Sequence, residues 1–178
     1  MKIRRANQED IKGIAKVHVD TWRTTYSNII PASFLNSFSY EDRETAWAVN
    51  LNKVDNVVFV AQNEAGEIIG FADTSRREKN EDLESIDLTS LYLLEAYQGK
   101  GIGKKLIQTL FEHYKTNGYK RVYVDVLAEN KTRHLYEYYG AEFVKELNIK
   151  RGDKVLVEYV YVWNSIEDVL EKLNKITT

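Results

Sequence analysis

The chain has 178 residues, 43% of them hydrophobic, and no cysteine, so it suits one domain (1–178) with its own core and excludes disulfides, thiolate metal sites and a cysteine nucleophile. Its 25 basic and 27 acidic residues are interspersed and leave a formal net charge of −2, so no broad field draws it to nucleic acid or to an anionic membrane surface. The opening MKIRRANQED lacks the apolar core of a leader, and no apolar run approaches the roughly 20 residues that span a bilayer. The expected location is the cytoplasm.

In chain order, residues 2–5 predict a short strand, and Asn7 is placed to cap a helix carrying Ile11, Ile14, Ala15, Val17 and Val19 near its buried face. Aromatics gather where that helix ends. In TWRTTYSNIIPASFLNSF, Pro31 fits the first turn of a short helix, and Ser39 is placed to cap a third carrying Ala46, Trp47 and Val49. NVVFVAQNEAGEIIGFADTS then reads as a hairpin turning at Glu64–Gly66, followed by the polar RREKNEDLE, read as a solvated loop. A β-rich run from Ser85 to Leu94 leads through a glycine-rich turn into a helix whose stripe is Ile102, Leu106, Ile107, Leu110, Phe111 and Tyr114, closed by Gly118. RVYVDVL is another strand, ENKTRHLYEYYG a short helix ended by Gly140, and EFVKELNI and KVLVEYVYVW two strands joined at Arg151–Gly152. Ser165, with Asp168 three residues on, caps a last amphipathic helix. This order predicts an α/β or α+β sandwich around a mixed sheet.

The chemistry concentrates in LYLLEAYQGKGIGKKL, residues 91–106, where a strand passes through three glycines into a helix. Glycines let a ligand approach the backbone, and the first N–H groups of a helix point at it, which is how phosphate is commonly held. Spacing excludes two such loops. A Walker A motif would need glycine where Gln98 stands and a hydroxyl where Lys105 stands; a dinucleotide fingerprint starting at Gly99 would need glycine at Lys104. The pattern left, Gln98-x-x-Gly101-x-Gly103 between a strand and an amphipathic helix, resembles the acetyl-CoA loop of the GNAT N-acetyltransferases. Leu91, Tyr92 and Leu93 look like that family's strand end and Glu95-Ala96-Tyr97 like its lead-in, while ENKTRHLYEYYGAEF is similar to its asparagine, tyrosine and glycine segment. TWRTTYSNIIP resembles a segment found in many single-domain members, whereas Gly140-Ala141-Glu142-Phe143 departs from the commoner Gly-Phe.

The resemblance implies a mixed, mostly antiparallel central sheet of about seven strands flanked by helices. It implies acetyl-CoA as acyl-donor substrate, its pyrophosphate held by the backbone of Gln98, Gly99, Lys100, Gly101, Ile102, Gly103 and Lys104, with charge from Lys100, Lys104 and Lys105. Thr89–Leu93 would be bulged and splayed from Val122–Val126, with pantetheine added to its free edge, and Asn130 would belong to the same site. Tyr136 aligns with the tyrosine that protonates the departing thiolate. An alkyl ammonium of pKa about 10.4 must lose a proton before it attacks, and Asp87, with Glu84 in reserve, stands where many relatives carry the base. Trp22, Tyr26 and Phe34 are candidates for the wall of the acceptor site, and Glu78, Glu81, Asp82 and Glu84 for attracting a cationic amine such as a polyamine. His18, His113 and His134 lack metal-ligand spacing, and no metal is expected.

The activity so implied is direct transfer of acetyl to a primary amine of a small molecule. The same fold would serve another acyl-CoA or a protein N-terminus or lysine, and a CoA-binding sensor is the non-enzyme alternative. Sequence alone leaves monomer or homodimer open.

Overall fold

Stretches rich in valine, isoleucine, tyrosine and threonine form the strands β1 (Lys2–Arg5), β2 (Val57–Gln62), β3 (Ile68–Ser75), β4 (Ser85–Leu93), β5 (Arg121–Leu127), β6 (Glu142–Arg151) and β7 (Lys154–Trp163). In the computed structural model, which describes residues 1–78 and 80–175, they make one seven-stranded sheet in the order β1-β2-β3-β4-β5-β7-β6. Neighbours are antiparallel except β4 and β5, which run parallel. A parallel pair needs a long crossover, and the helix between them supplies it.

The helices are α1 (Ile11–Thr25), α2 (Ala32–Asn36), α3 (Tyr40–Asn50), α4 (Ile102–Thr116), α5 (Arg133–Tyr138) and α6 (Ile166–Lys175). The predicted stripe of α4 is buried throughout and packs with α6 residues Ile166, Val169 and Leu173 against Ile86, Leu88 and Val122 of the sheet. On the opposite face, α1 and α3 bring Ile14, Val17 and Trp47 onto Val58, Val60 and Phe71. A third cluster, Tyr26, Ile30, Leu35, Leu127 and Leu156, joins the end of α1 to β5 and β7. Among the described residues no helix is long and apolar enough to cross a membrane.

The caps lie where the sequence puts them: Asn7 accepts from Glu9 N at 2.9 Å, Ser39 from Asp42 N at 3.0 Å, and Ser165 from Asp168 N at 3.1 Å. Four details differ. Asn7 caps a single 3-10 turn, Gln8–Asp10, that runs on into α1, and Pro31 stands just before α2, in extended backbone at ψ 136°. Val49 is 58% exposed, because α3 meets the sheet through Trp47 alone of that trio's large side chains. The polar segment after β3 is anchored rather than merely solvated. Arg77 donates to both Asp87 and Asp125, Asn80 accepts from Ser85 Oγ at 2.8 Å, and Asp82 pairs with Arg121 at 2.6 Å. The cause is Asp87: a carboxylate 2% exposed must be paired, and the segment folds over it to do so. Lys79, in the same segment, lies outside the described residues.

Candidate active site

The sheet comes apart in the middle. Parallel pairing joins Ser85–Leu88 to Arg121–Val124 and then stops. On its other side β4 slips register against β3: Thr74 lies opposite Leu88 and Asp73 opposite Ser90, which leaves Thr89 as the extra residue of a bulge. A bulge increases local twist, so β4 swings away from β5 and Thr89–Leu93 keeps a backbone edge with no strand beside it. The gap is a cleft of about 1020 Å³, lined by the end of α1, by Ser90–Leu93, by the glycine loop, by Asp125 and Val126 of β5, and by Asn130 and Tyr136.

At one end of the cleft, Gly99 (φ +71°) and Gly101 (φ +76°) adopt the left-handed conformation that disfavours side chains. A Cβ on Gly99, Gly101 or Gly103 would meet no atom of the protein within 4 Å, so internal packing does not demand these glycines; they leave the backbone bare toward the cleft. Helix α4 starts there with Gly101 at its N-cap, no capping side chain and no acid in its first turn, whereas α3 has Ser39, Glu41 and Asp42 in the corresponding places. The first bond of the helix is Lys105 N to Gly101 O at 3.1 Å, which leaves the N–H groups of Ile102 and Gly103 beyond any intrahelical acceptor. Bare donors and the positive end of a 15-residue helix make an anion site that fits a pyrophosphate. Gln98 ties the loop to the strand by donating to Leu93 O at 2.9 Å. The Ile102 side chain is in the core, so that residue offers backbone alone, and the exposed Lys100 lies over the Tyr97 ring at 5.4 Å.

Tyr136 lies on the opposite wall, 5% exposed, its ring edge-on to Trp163 at 5.4 Å. Burial raises its phenol well above the ordinary value, so it stays protonated at neutral pH, as a proton donor must. Asn130 has both ends of its amide engaged: Nδ2 donates to Tyr26 Oη at 3.1 Å and Oδ1 accepts from Thr132 N at 2.9 Å. Tyr26 also bonds Tyr92, whose Oη accepts from Trp22 Nε1 at 2.9 Å. A chain of side-chain hydrogen bonds thus spans from α1 to β4 and to the loop after β5, tying together both sides of the split sheet.

The other predicted residues divide. Of the acceptor-wall trio, Tyr26 lines the cleft; Trp22 stands behind it, stacked on Phe38 at 4.6 Å, and Phe34 packs in the same aromatic group. Asp87 is outside the lining, accepting from Arg77 Nε and Asn80 Nδ2, both at 2.9 Å. Glu84 points to Arg121 at 3.7 Å. His18 sits among Trp22, Phe38, Trp47, Phe71 and Tyr92, where burial and then Arg43 push it down to about 4, so it is neutral at pH 7. Thr21, Ser90, Asp125 and Glu129 line the cleft without having been singled out from sequence. The available signal was a serine within the apolar end of a strand.

A cleft between splayed parallel strands, entered by a glycine loop at a helix start, defines a class. The chain belongs to the acetyltransferase (GNAT) family, whose model matches residues 18–141. It is 36% identical to the uncharacterized N-acetyltransferase YuaI of Bacillus subtilis (strain 168), over 97% of this chain and 98% of that one. It is 35% identical to the spermine/spermidine N(1)-acetyltransferase of the same organism, over 52% of this chain and 64% of that one. The solved structure of yncA from Salmonella typhimurium with its cofactor acetyl-CoA matches with a TM-score of 0.71, at 19% identity, over 92% of this chain and 93% of that one. The protein is an enzyme, an N-acetyltransferase of the GNAT type.

Proposed function

We propose that the cleft takes acetyl-CoA and delivers its acetyl group directly to a primary amine of a small cationic molecule, in a cytoplasmic setting. One observation carries the reading: the bare glycine loop, the unpaired edge of β4 and the Tyr136 phenol open onto one continuous cleft. The loop backbone holds the pyrophosphate, and the edge of Thr89–Leu93 pairs with the pantetheine arm as an added strand would. When bound, the thioester supplies an activated acetyl carbon and a thiolate leaving group. A backbone N–H of the edge steadies charge developing on the carbonyl oxygen, and Tyr136 gives the thiolate a proton. Among the acids lining the cleft, Glu129 suits a cation, which agrees with the polyamine named for one relative.

The test is CoA release from acetyl-CoA across a panel of spermidine, spermine, putrescine, an amino sugar and a lysine-containing peptide. Steady release with a small polyamine and little with the peptide is the expected result. Release with the peptide alone would move the acceptor to protein, and release with longer acyl-CoA only would move the donor. A protein that binds acetyl-CoA but yields no free CoA whichever amine is added would be a sensor.

A further inference from the structure

The acid expected to act as base, Asp87, has its oxygens taken by Arg77 and Asn80 and lies outside the cleft lining. Another acid has the opposite surroundings. Asp73 of β3 is 4% exposed, yet its Oδ1 has no hydrogen-bond partner among the described residues, and no cation there influences it. Ser90 stands directly across the β3–β4 ladder from it, and its hydroxyl acts on the carboxylate against that burial. Ser90 lines the cleft just past the Thr89 bulge. Thr21 of α1 also lines it, and is itself 4% exposed with an unpartnered hydroxyl. Buried polar atoms without partners are costly and uncommon, and an unpaired buried acid more so. Here they occur beside the cleft, where a cationic substrate group would supply what they lack.

We propose that Asp73, acting through the Ser90 hydroxyl, accepts the proton that the acceptor ammonium must lose before it attacks, while the Thr21 hydroxyl helps to hold that amine. This rests on the acetyl-transfer reading and deepens it, by assigning the acceptor nitrogen a place against Ser90. One proton moves. It passes from the ammonium nitrogen to Ser90 Oγ as the Ser90 proton passes to the Asp73 carboxylate. The nitrogen keeps the bonding pair as its lone pair, Ser90 ends as it began, and the neutral Asp73 acid returns the proton to solvent before the next turnover. Asp73 is therefore a positioning and proton-storing residue, and Ser90 the group that touches substrate.

The surroundings suit the task. Burial pushes the Asp73 acid up to about 7, against the opposing pull of the Ser90 hydroxyl, which places it near the working pH of a base. From β4, Tyr92 faces it, and from α4 on the other side of the sheet, Tyr114; burial pushes both phenols up beyond neutral titration. From α1 comes His18, stacked on Tyr92 and pushed down to about 4, with Arg43 of α3 acting on it. From β2 the facing residue is Val58, which does not titrate. Asp73 is thus the group of this cluster that changes charge near pH 7.

The experiment compares the parent with Asp73→Asn, Ser90→Ala and Ser90→Thr, using saturating acetyl-CoA and spermidine as the acceptor. At pH 7, kcat/KM for spermidine should fall about 10²-fold or more in Asp73→Asn and Ser90→Ala, and recover to within about tenfold of the parent in Ser90→Thr, which restores the hydroxyl. KM for acetyl-CoA should change little. The near-neutral limb of the parent's pH profile should vanish in Asp73→Asn, leaving a rate that climbs toward the pKa of the free amine. An Asp73→Asn protein that keeps the parent's pH profile overturns the proposal. Should that variant not fold, the Ser90 pair carries the same comparison, and Ser90→Ala with the parent's rate overturns it.

A second measurement needs no turnover. In protein labelled with 13C at aspartate carboxyl carbons, the resonance absent from Asp73→Asn, or assigned by its response to Ser90→Ala, should titrate near neutrality and move toward the ionised position when spermidine or n-butylamine is added. A parent that releases no CoA with any amine refutes the transfer reading alone. A resonance indifferent to both amines overturns the role of Asp73, whether or not CoA is released.

Discussion

Tyr136 and Asp87 were the two side chains given chemical roles from sequence, and their surroundings now separate them. Tyr136 lines the cleft with a phenol that burial keeps protonated; Asp87 is clamped by Arg77, which holds Asp125 as well. Arg77 so placed joins the loop after β3 to both parallel strands just where they begin to part. Replacing Tyr136 by phenylalanine keeps the ring on Trp163 and removes only the donor, so CoA release at saturating amine should drop about 10-fold to 10⁴-fold while melting temperature and acetyl-CoA affinity stay close to the parent's. A rate within about twofold of the parent, with chemistry shown to limit turnover, would return Tyr136 to a packing role. Side-chain partners of this kind were the least legible in the sequence. The Asn130–Tyr26 bond joins residues 104 positions apart, and Arg77 reaches 48 positions to Asp125. No local pattern encodes such pairs; RREKNEDLE shows only polarity, which solvated and anchored loops share.

Elements were far more legible, because what makes them is local. The α4 stripe repeats at helical spacing, Gly66, Gly118, Gly140 and Gly152 all stand at positive φ where chain reversals were expected, and three serine or asparagine caps lie one step ahead of their helical segments. The register slip that frees β4 was not readable from its residues: SIDLTSLYL looks like an unbroken strand, and only the family resemblance implied a bulge. The glycine loop gives a prediction in which folding and binding separate. Gly103 has ordinary helical backbone and open space beyond its Cα, so Gly103→Val should leave the unliganded melting temperature nearly unchanged, apart from a helix-propensity effect of under about 1 kcal/mol. If the loop holds the pyrophosphate as proposed, the added methyls take its place, and the upward shift given by acetyl-CoA should be lost. A full shift in Gly103→Val would take the loop out of the ligand site.

For the molecule as a whole, half-buried His18 and buried Asp73 set opposing pH dependences. His18 is pushed down to about 4 from an ordinary 6.5; between those values the unfolded chain holds a proton that the folded one lacks, so this group makes stability rise with pH. Asp73 is pushed up to about 7 from 3.8; over that interval the folded chain holds the extra proton, so this group makes stability fall with pH. The windows overlap between about pH 4 and 6.5, and there the two slopes oppose each other. Urea midpoints measured across that range should rise with pH in Asp73→Asn, fall with pH in His18→Gln, and vary less in the parent than in either. Parallel profiles for all three proteins would show that these groups do not titrate as placed.

A sheet with a gap has one edge more than its outline shows, and exposed edges invite pairing with other chains. The outer edges here are blunted, β1 by being four residues long and β6 by Glu142, Lys145, Glu146 and Lys150 along its length. The inner edge of β4 has neither device, and Leu91, Tyr92 and Leu93 make it apolar. Its protection is enclosure: the end of α1 flanks it on one face and the glycine loop on the other, with β5 opposite. A strand from another molecule would have to bring side chains into both of those faces, whereas a thread only one or two atoms wide need not. The same split that opens the backbone to a slender ligand thereby withholds it from aggregation, so this fold keeps a sticky surface permanently available without the burden of covering it.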